Sequence, residues 1–263
     1  MSRIINLCSS SSGNCMLIQG NSTNILIDAG VAIKTFEKTL SELCIAPISI
    51  DAILVTHEHI DHVKGLSSIA KKYNIPVYAS HGTLCGYDEK FCFNENCVCY
   101  DTEYMPFKVG EFEITPFATS HDTEGRSGYV IMDSIGKSIG YCTDLGFVSQ
   151  EVEHAISGCE FVVLESNYDK NMLITGPYPY HLKRRISGGR GHLSNDEAAE
   201  FAASLIKNGT KQLVLAHLSS ENNTPTLAFE NMKCHLTQNG YILDRDYKLH
   251  IASKFYTGQI WEI

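Results

Sequence analysis

The sequence predicts an α/β protein, a four-layer αββα sandwich in which two β-sheets pack face to face between outer helices. Three observations favour this fold class. Apolar runs of strand length occur in clusters, segments of helical periodicity lie between the clusters, and 43% of the 263 residues are hydrophobic, enough for a large core. A doubly wound parallel sheet would instead alternate single strands with single helices. Because there is neither a low-complexity linker nor a short internal repeat, we expect one domain over residues 1–263.

Strands are predicted where short runs rich in β-branched residues are mostly bounded by Gly, Pro, Asn or Ser. In chain order these runs are Ile4–Leu7, Cys15–Gln19, Asn24–Asp28, Ala52–Thr56, Val77–Ser80, Phe112–Thr119, Tyr129–Asp133, Ser138–Thr143, Phe161–Glu165 and Leu213–His217. Helical periodicity predicts Ala32–Leu43, Val63–Tyr73, Glu151–Ile156, Asn195–Ile206 and Thr226–Gln238. Ser194, with Glu197 three positions later, predicts a capping box at the start of the fourth helix.

The composition excludes several classes of protein. No stretch approaches the roughly 18 consecutive apolar residues of a membrane helix, and the first residues lack the apolar core of a signal peptide. We therefore expect a cytoplasmic protein without membrane contact. The ten cysteines are scattered through an apolar-rich chain, which predicts reduced thiols, and the spacing of Cys92, Cys97 and Cys99 matches no common zinc framework. The net charge of -9 argues against non-specific attraction to nucleic acid, and the oligomeric state stays open.

A dense group of metal-binding side chains follows the fourth predicted strand. Its sequence is His57-Glu58-His59-Ile60-Asp61-His62. Residues two apart in an extended chain face the same side, so His57 and His59 can hold one ion while Asp61 and His62 turn toward a second. Burying these groups together without a cation would carry a large desolvation cost. The segment predicts two neighbouring metal sites, with a polar surface loop as the alternative.

Further ligands are expected at strand ends, where a rigid scaffold can hold them. His121, Asp144 and His217 each finish an apolar run as a lone polar group. Taken singly, such a residue is more often a hydrogen-bonded histidine or a turn aspartate than a metal ligand. Their common placement favours a role as ligands to the same metal centre.

These residues, in this order, resemble the metallo-β-lactamase superfamily. Its pattern is a strand-ending Asp, then His-x-His-x-Asp-His, then a His, an Asp and a final His, and Asp28 supplies the first of these positions. The resemblance implies that His57, His59 and His121 bind one ion, that Asp61, His62 and His217 bind the other, and that Asp144 bridges. It also implies that Asp28 orients a ligand. No insertion of the β-CASP type interrupts the interval from Asp144 to His217.

The charge of such a centre indicates its chemistry. Two dications, two carboxylates and a bridging hydroxide leave a positive charge in a pocket of low dielectric, which suits an anionic substrate. Two metals can stabilise both the attacking and the departing oxygen of a displacement at phosphorus, so attack of the bridging hydroxide on a phosphodiester is the expected reaction. Zinc is the expected metal, and the same ligands accept manganese.

A basic segment points to the substrate. Between Lys170 and Asn195 there are five Lys or Arg residues and no acid. Cations can contact phosphates and tyrosine rings can stack on bases, so this segment is a predicted nucleic-acid track, with a solvated basic loop as the alternative. The predicted contacts are Tyr178, Tyr180, His181, Lys183, Arg184, Arg185, Arg190, Ser194 and Asn195.

Glu165-Ser166-Asn167 and Gly191-His192-Leu193-Ser194-Asn195 resemble motifs of the nuclease branch that includes ribonuclease Z. That resemblance implies a catalytic set of His192 as general acid, Glu165 as its orienting partner, and Asp61. A helix-capping role for His192 is the alternative.

The turn Cys8-Ser9-Ser10-Ser11-Ser12-Gly13-Asn14-Cys15 and the segment Tyr-Pro-Tyr-His-Leu-Lys-Arg-Arg are similar to the YycJ or WalJ group of that superfamily. The similarity implies a 5′-to-3′ exodeoxyribonuclease in DNA repair that acts on the 5′ end of double-stranded DNA. Ser10–Asn14 is either a contact to the substrate or a polar hairpin turn. The alternative functions are an RNA-processing nuclease, a glyoxalase II-like thioesterase and a regulatory partner with a vestigial site.

Overall fold

Two mixed β-sheets form the centre of the computed structural model, which describes residues 2–91, 98–256 and 259–263. The strands in these residues are β1 Arg3–Ser10, β2 Gly13–Gln19, β3 Asn24–Ile27, β4 Ala52–Leu54, β5 Val77–Ala79, β6 Cys99–Asp101, β7 Phe107–Val109, β8 Phe112–Ala118, β9 Ser127–Met132, β10 Ser138–Cys142, β11 Phe161–Glu165, β12 Gln212–Ala216, β13 Lys248–Ile251 and β14 Ile260–Glu262. The first sheet has the order β14-β1-β2-β3-β4-β5-β6 and the second the order β13-β12-β11-β10-β9-β8-β7.

Helices lie on the outer faces of both sheets and in the connections. They are α1 Ile33–Glu42, α2 Ile60–Val63, α3 Leu66–Tyr73, α4 His81–Phe91, α5 Gln150–Ile156, α6 Lys170–Thr175, α7 Tyr180–Ile186, α8 Asn195–Lys207 and α9 Pro225–Gln238, with a 3-10 turn at Pro47–Ser49. In the part of the chain that the structure describes, no helix combines the length and the apolar character needed to cross a lipid bilayer.

Three apolar clusters define four layers. Along β11, Phe161 and Val163 point into the cluster between the two sheets, whereas Val162 and Leu164 point into a cluster beneath the outer helices. This alternation is the two-residue period of a strand buried on both faces. Residues of α5, α8 and α9 cover the second sheet and residues of α1 and α3 cover the first. The predicted αββα sandwich is therefore confirmed.

The strand directions determine where polar side chains gather. Strands β3 to β6 are mutually parallel, as are β10 to β13, while the remaining pairs in each sheet are antiparallel. The carboxyl ends of parallel strands lie at one edge of a sheet, and ligands of open α/β sheets bind outside that edge. Asp28 and the His57–His62 segment follow the first set of strands, and Asp144, Glu165 and His217 end or follow the second.

All ten predicted strands and all five predicted helices are found, with differences in detail. The predicted helix Val63–Tyr73 is two helices, α2 and α3, separated near Gly65, where an added Cβ would lie 2.0 Å from the carbonyl oxygen of Val31. The strands β6, β7, β13 and β14 have only three or four residues and gave no periodic signal. The basic segment, which also lacked a clear period, contains α6 and α7.

Cys92 and Cys97 lie outside the described residues, and Cys99 lies in β6. The described cysteines, Cys8, Cys15, Cys44, Cys85, Cys99, Cys142, Cys159 and Cys234, form no disulfide with one another.

Candidate metal centre

Seven predicted ligands converge between the carboxyl ends of the two sheets. His57 and His59 lie in the extended loop after β4, and Asp61 and His62 lie in the first turn of α2. Possible ligand atoms fall into four overlapping groups within 4.8 Å of one another, and these groups are His57, His59 and His121, then Asp61, His62 and His217, then His57, His62 and Asp144, then Asp144, Glu165, His192 and His217. The first two groups contain the residues that the sequence resemblance assigns to the two ions, and the fourth places Glu165 and His192 beside them.

The first group consists of three imidazoles. Nε2 of His57 lies 3.0 Å from Nδ1 of His59, and Nε2 of His121 lies 3.3 Å from the same Nδ1 atom. Three ring nitrogens at these distances surround a volume that one cation can occupy at bond lengths of about 2.0–2.1 Å.

The second group contains a carboxylate, and Asp144 lies between the two groups. Oδ2 of Asp61 is 3.4 Å from Nε2 of His62 and 3.5 Å from Nε2 of His217. One oxygen of Asp144 is 3.4 Å from Nε2 of His62, and the other is 3.6 Å from Nε2 of His121. The carboxylate of Asp144 thus presents one oxygen to each group.

The donor set fits a divalent cation. Oδ2 of Asp144 and Nε2 of His217 are buried and have no hydrogen-bond partner within the described structure. Buried polar atoms are almost always paired, so these two require a partner that the protein does not supply. Imidazole nitrogens and carboxylate oxygens are donors that zinc and manganese accept. The centre can therefore hold divalent metal ions.

A ring of hydrogen bonds behind the ligands fixes the orientation of the imidazoles. Nδ1 of His62 lies 2.7 Å from Oδ2 of Asp28, and Asp28 also accepts a hydrogen bond from the backbone N–H of Thr56. Nδ1 of His121 donates to the carbonyl oxygen of Gly191 at 3.0 Å. With Nδ1 engaged in this way, Nε2 of each ring is directed at the centre, as in characterised metal sites.

Strained backbone accompanies three of these residues. Asp28, Asp144 and His217 have φ angles of 61°, 59° and 55°, in the left-handed region that side chains with a Cβ rarely adopt. Such a conformation costs roughly 1–2 kcal/mol per residue and persists where the surrounding structure enforces it, most often at functional sites. Each of the three lies one or two residues after a strand; the side chains of Asp144 and His217 lie in the centre, and that of Asp28 lies behind them against His62.

Burial and close charges dominate the electrostatics of the protein groups at the centre. Burial and the neighbouring imidazoles of His62 and His121 hold the pKa of His57 well below its ordinary value. Burial also opposes the charged form of His217, but the carboxylates around it, Asp144 first, raise the pKa of His217 to about 10. Cation binding at this centre consequently displaces protons.

His192 and Glu165 lie beside the ligands. Nδ1 of His192 is 2.9 Å from Oε1 of Glu165, and the same oxygen is 2.8 Å from Nδ1 of His217. The second oxygen of Glu165 accepts hydrogen bonds from the backbone N–H groups of Leu145 and Leu193. Burial alone would raise the pKa of Glu165, but the two histidines outweigh it and hold that pKa well below its usual range. Glu165 is therefore a carboxylate shared by two histidines.

The residues of the predicted nucleic-acid track lie in different places, and only some of them lie near the metal centre. Arg185 reaches the rim of the centre, where its Nε donates to Asp122 at 2.6 Å, and Oδ1 of Asp122 lies 3.6 Å from Nε2 of His121. Lys183 instead donates to the carbonyl oxygens of Ile174 and Gly176 at 2.6 and 2.8 Å. Its ammonium group therefore holds the end of α6.

Other members of the track lie farther from the ligands. Arg184 stacks over the exposed ring of Tyr180 and lines a groove of about 550 Å³ between α6, α7 and the start of α8. Tyr178 is half-buried and His181 is exposed, while Arg190 is exposed near His121.

Ser194 and Asn195 do not face this surface. Both are buried, Ser194 caps α8 in the predicted capping box, and Asn195 pairs with Asn223. The hydrogen bonds of Ser194 cap α8, and those of Asn195 connect the start of α8 to the residues before α9.

Asp122 and Ser9 at the centre were not predicted from the sequence. Asn14, predicted to be either a substrate contact or part of a polar hairpin turn, lies beside the ligands, with its Nδ2 3.1 Å from Nε2 of His62 and 3.4 Å from Oδ2 of Asp61. The Ser9 hydroxyl accepts a hydrogen bond from the backbone N–H of His217. The end of β1 and the start of β2 thus support the ligands, and the serine-rich sequence around the turn between these strands was the available signal.

Comparison with known proteins agrees with this geometry. Residues 23–218 match the family described as "Beta-lactamase superfamily domain". The chain belongs to this superfamily, and its fold and site define a metal-dependent hydrolase. The resemblance seen in the sequence is confirmed.

Individual relatives cover almost the whole chain. "Exodeoxyribonuclease YycJ" of Bacillus anthracis is 34% identical over 253 residues, covering 93% of this chain and 92% of the relative. "Exodeoxyribonuclease WalJ" of Streptococcus pneumoniae is 33% identical over 250 residues, covering 94% and 93%.

Solved structures share the fold. Zn(2+)-bound PqqB from Methylobacterium extorquens aligns with a TM-score of 0.74 at 14% identity and complete coverage of both chains. Human tRNase Z, short form, aligns with a TM-score of 0.66 at 15% identity and 99% coverage of each chain.

Proposed function

We propose that the protein is a dinuclear metal-dependent phosphodiesterase that removes nucleotides from the 5′ end of double-stranded DNA. The observation that carries the proposal is the arrangement of two ligand groups around Asp144, with His192 and Glu165 beside them. The DNA substrate follows from the relatives' description as exodeoxyribonucleases, and the 5′-to-3′ direction follows from the resemblance of the sequence to the YycJ or WalJ group.

Each ligand group would hold one ion. His57, His59 and His121 would hold the first, and Asp61, His62 and His217 the second, with the two oxygens of Asp144 shared between them. Zinc suits these donors and manganese is accepted by the same set. When bound, the ions supply Lewis acidity toward phosphate oxygens and activate a water molecule.

His192 is suited to protonate the leaving oxygen. Glu165 accepts the hydrogen bond from Nδ1 of His192, which leaves Nε2 to carry the transferred proton. The His192 side chain is 19% exposed whereas that of Glu165 is fully buried, so His192 can reach substrate and Glu165 acts as a positioning residue. Asp61, whose side chain is 18% exposed, can accept a hydrogen bond from the attacking water.

Arg185 is suited to bind the scissile phosphate. Nε and Nη2 of Arg185 lie 2.6 and 3.1 Å from the two oxygens of Asp122, so the planar guanidinium is held at the rim of the centre. A guanidinium fixed in this way can offer its remaining N–H groups to a phosphate oxygen.

An end-labelled duplex assay tests the proposal. Metal-reconstituted protein is given 5′- or 3′-labelled DNA and RNA of one sequence, with Asp61→Ala as the inactive variant and Glu230→Gln, on the exposed side of α9, as the matched control. We expect release of 5′-labelled mononucleotide from DNA by the native and control proteins. Cleavage of RNA alone, or hydrolysis of a thioester in place of DNA, would overturn the proposal.

A further inference from the structure

A small pocket adjoins the metal centre at His121, whose ring centroid lies 5.0 Å from that of His192. It has a volume of about 280 Å³, and its lining includes Ser120, His121, Arg126, Phe147, Glu151 and Arg190. His121 belongs both to this pocket and to the first ligand group, and Arg190 lies two residues before His192. The pocket therefore begins at the metal centre and extends away from it.

The walls of the pocket are held rigidly. Gly146 donates its backbone N–H to the carbonyl oxygen of Ser120 at 2.6 Å, and the Ser120 hydroxyl donates to the carbonyl oxygen of Phe147 at 2.7 Å. A Cβ on Gly146 would lie 2.4 Å from the backbone of Gly189, so the loops that carry Phe147 and Arg190 are in direct contact. The pocket is therefore preformed, and a ligand would bind without rearrangement of these loops.

The pocket offers positive charge and an aromatic face. Two guanidinium groups, of Arg126 and Arg190, face one carboxylate, of Glu151, in a protein with a net charge of -9. Within the described residues, neither an acidic side chain nor a carbonyl group binds the guanidinium of Arg190. Glu151 accepts a hydrogen bond from the backbone N–H of Ala118, and the ring of Phe147 is 52% exposed. This combination can bind a phosphate and stack on a base.

The polarity of the reaction relates this pocket to one end of the substrate. Water attacks the phosphorus of the first internucleotide phosphate, the bond from phosphorus to the 3′ oxygen of the terminal nucleotide breaks, and that oxygen takes the proton from His192. The terminal nucleotide therefore lies on the His192 side of the scissile phosphorus. It leaves with its own 5′-phosphate and a 3′-hydroxyl, and the shortened strand acquires a new 5′-phosphate.

We propose that this pocket binds the 5′-terminal nucleotide, with Arg190 and Arg126 against its 5′-phosphate and Phe147 against its base. The inference rests on the proposed function and adds a requirement for a 5′-phosphate. A volume near the roughly 300 Å³ lower limit of ligand pockets suits one nucleotide. Each cleavage regenerates the group that the pocket recognises, so the same contacts serve at every step along the strand.

Duplexes that differ only in a 5′-phosphate or a 5′-hydroxyl test the inference. For the native, metal-reconstituted protein we expect kcat/KM to be about tenfold or more higher for the phosphorylated end, mostly through KM. Arg190→Gln is expected to make kcat/KM nearly equal for the 5′-phosphate and 5′-hydroxyl duplexes. Arg190→Lys is expected to keep an intermediate preference for the 5′-phosphate. Arg190 is chosen because Arg126 also donates to the carbonyl oxygens of His121 and Thr123. Arg245→Gln, which removes an exposed arginine outside the pocket and the centre, should keep the native preference.

Three outcomes would overturn the inference. Equal cleavage of both ends by the native protein would reject the pocket and leave the proposed function standing. An equal loss on both substrates in Arg190→Gln would mean that Arg190 contacts the strand generally. Hydrolysis of bis(p-nitrophenyl) phosphate without cleavage of either duplex would reject the proposed function and, with it, this inference.

Discussion

Nδ1 of His62 lies 2.7 Å from Oδ2 of Asp28, and both side chains are fully buried. The pair joins the end of β3 to the first turn of α2, so a residue 34 positions earlier determines which ring nitrogen faces the centre. Hydrogen-bond partners of this kind usually contribute 10- to 100-fold to metal affinity.

Asp28→Asn is expected to weaken metal binding by roughly 10- to 100-fold while the protein stays folded. Asn tolerates the φ of 61° that Asp28 adopts, so the turn after β3 is retained. Competition with a chromophoric chelator measures the affinity, with Glu230→Gln as the control. Native affinity in Asp28→Asn would show that the pair does not orient His62.

Removal of the metal ions is expected to lower the melting temperature. A ligand present at about 1,000 times its Kd stabilises the folded state by roughly 4 kcal/mol, which corresponds to roughly 8–16 °C for a chain of this size. Thermal unfolding before and after chelation, and after return of zinc or manganese, measures the shift. A melting temperature that does not respond to chelation would contradict the presence of buried ions.

The metal-free protein is expected to lose stability in alkali through His217. Burial opposes the charge of His217, yet the carboxylates raise its pKa to about 10. A group whose pKa is higher in the folded state than the unfolded value of about 6.5 stabilises the fold fully below the unfolded pKa. This stabilisation is lost as the pH rises through the folded-state pKa. The free energy of unfolding from urea titrations should therefore fall between about pH 6.5 and the folded-state value.

The matched variant for this effect is His217→Asn, because Asn also accepts a positive φ. Its free energy of unfolding should change less across the same alkaline range. Parallel losses in the two proteins would assign the pH dependence to other groups.

His192→Ala is expected to lower DNA cleavage by about 10²- to 10⁴-fold, the usual contribution of a general acid. The p-nitrophenolate group leaves without protonation, so turnover of bis(p-nitrophenyl) phosphate should fall far less. Parallel kinetics on the two substrates separate the roles. Equal losses on both would indicate that His192 supports the metal centre and does not donate the proton.

Arg185→Gln is expected to raise KM for DNA and to reduce the slope of log K against log salt by about 1, the value for one lost phosphate contact. Binding to a duplex at several salt concentrations measures the slope, and Arg245→Gln serves as the control. An unchanged slope would place Arg185 outside the DNA contact.

Much of this arrangement could be predicted because its residues lie next to strong local patterns. Asp144 and His217 follow the parallel strands β10 and β12, whose carboxyl ends lie at one edge of the sheet, and His121 follows the apolar strand β8, so all three could be anticipated from the sequence. Capping of α8 by Ser194 was equally local and is confirmed.

Other features depend on contacts between distant segments. Asp122 directly follows His121, but its pairing with Arg185 depends on the position of α7, which itself lacks a periodic apolar face. The edge strands β13 and β14 are too short to give a two-residue pattern. Asn195 was predicted to contact substrate from its neighbours in the chain, while the fold directs it inward to Asn223.

The metal content of the native purified protein tests the central claim most directly. Elemental analysis against protein concentration should give two divalent ions per chain, and Asp61→Ala and His121→Ala should each lower that number. A chain that contains no ion, and that takes up none during dialysis against zinc or manganese, would contradict the account.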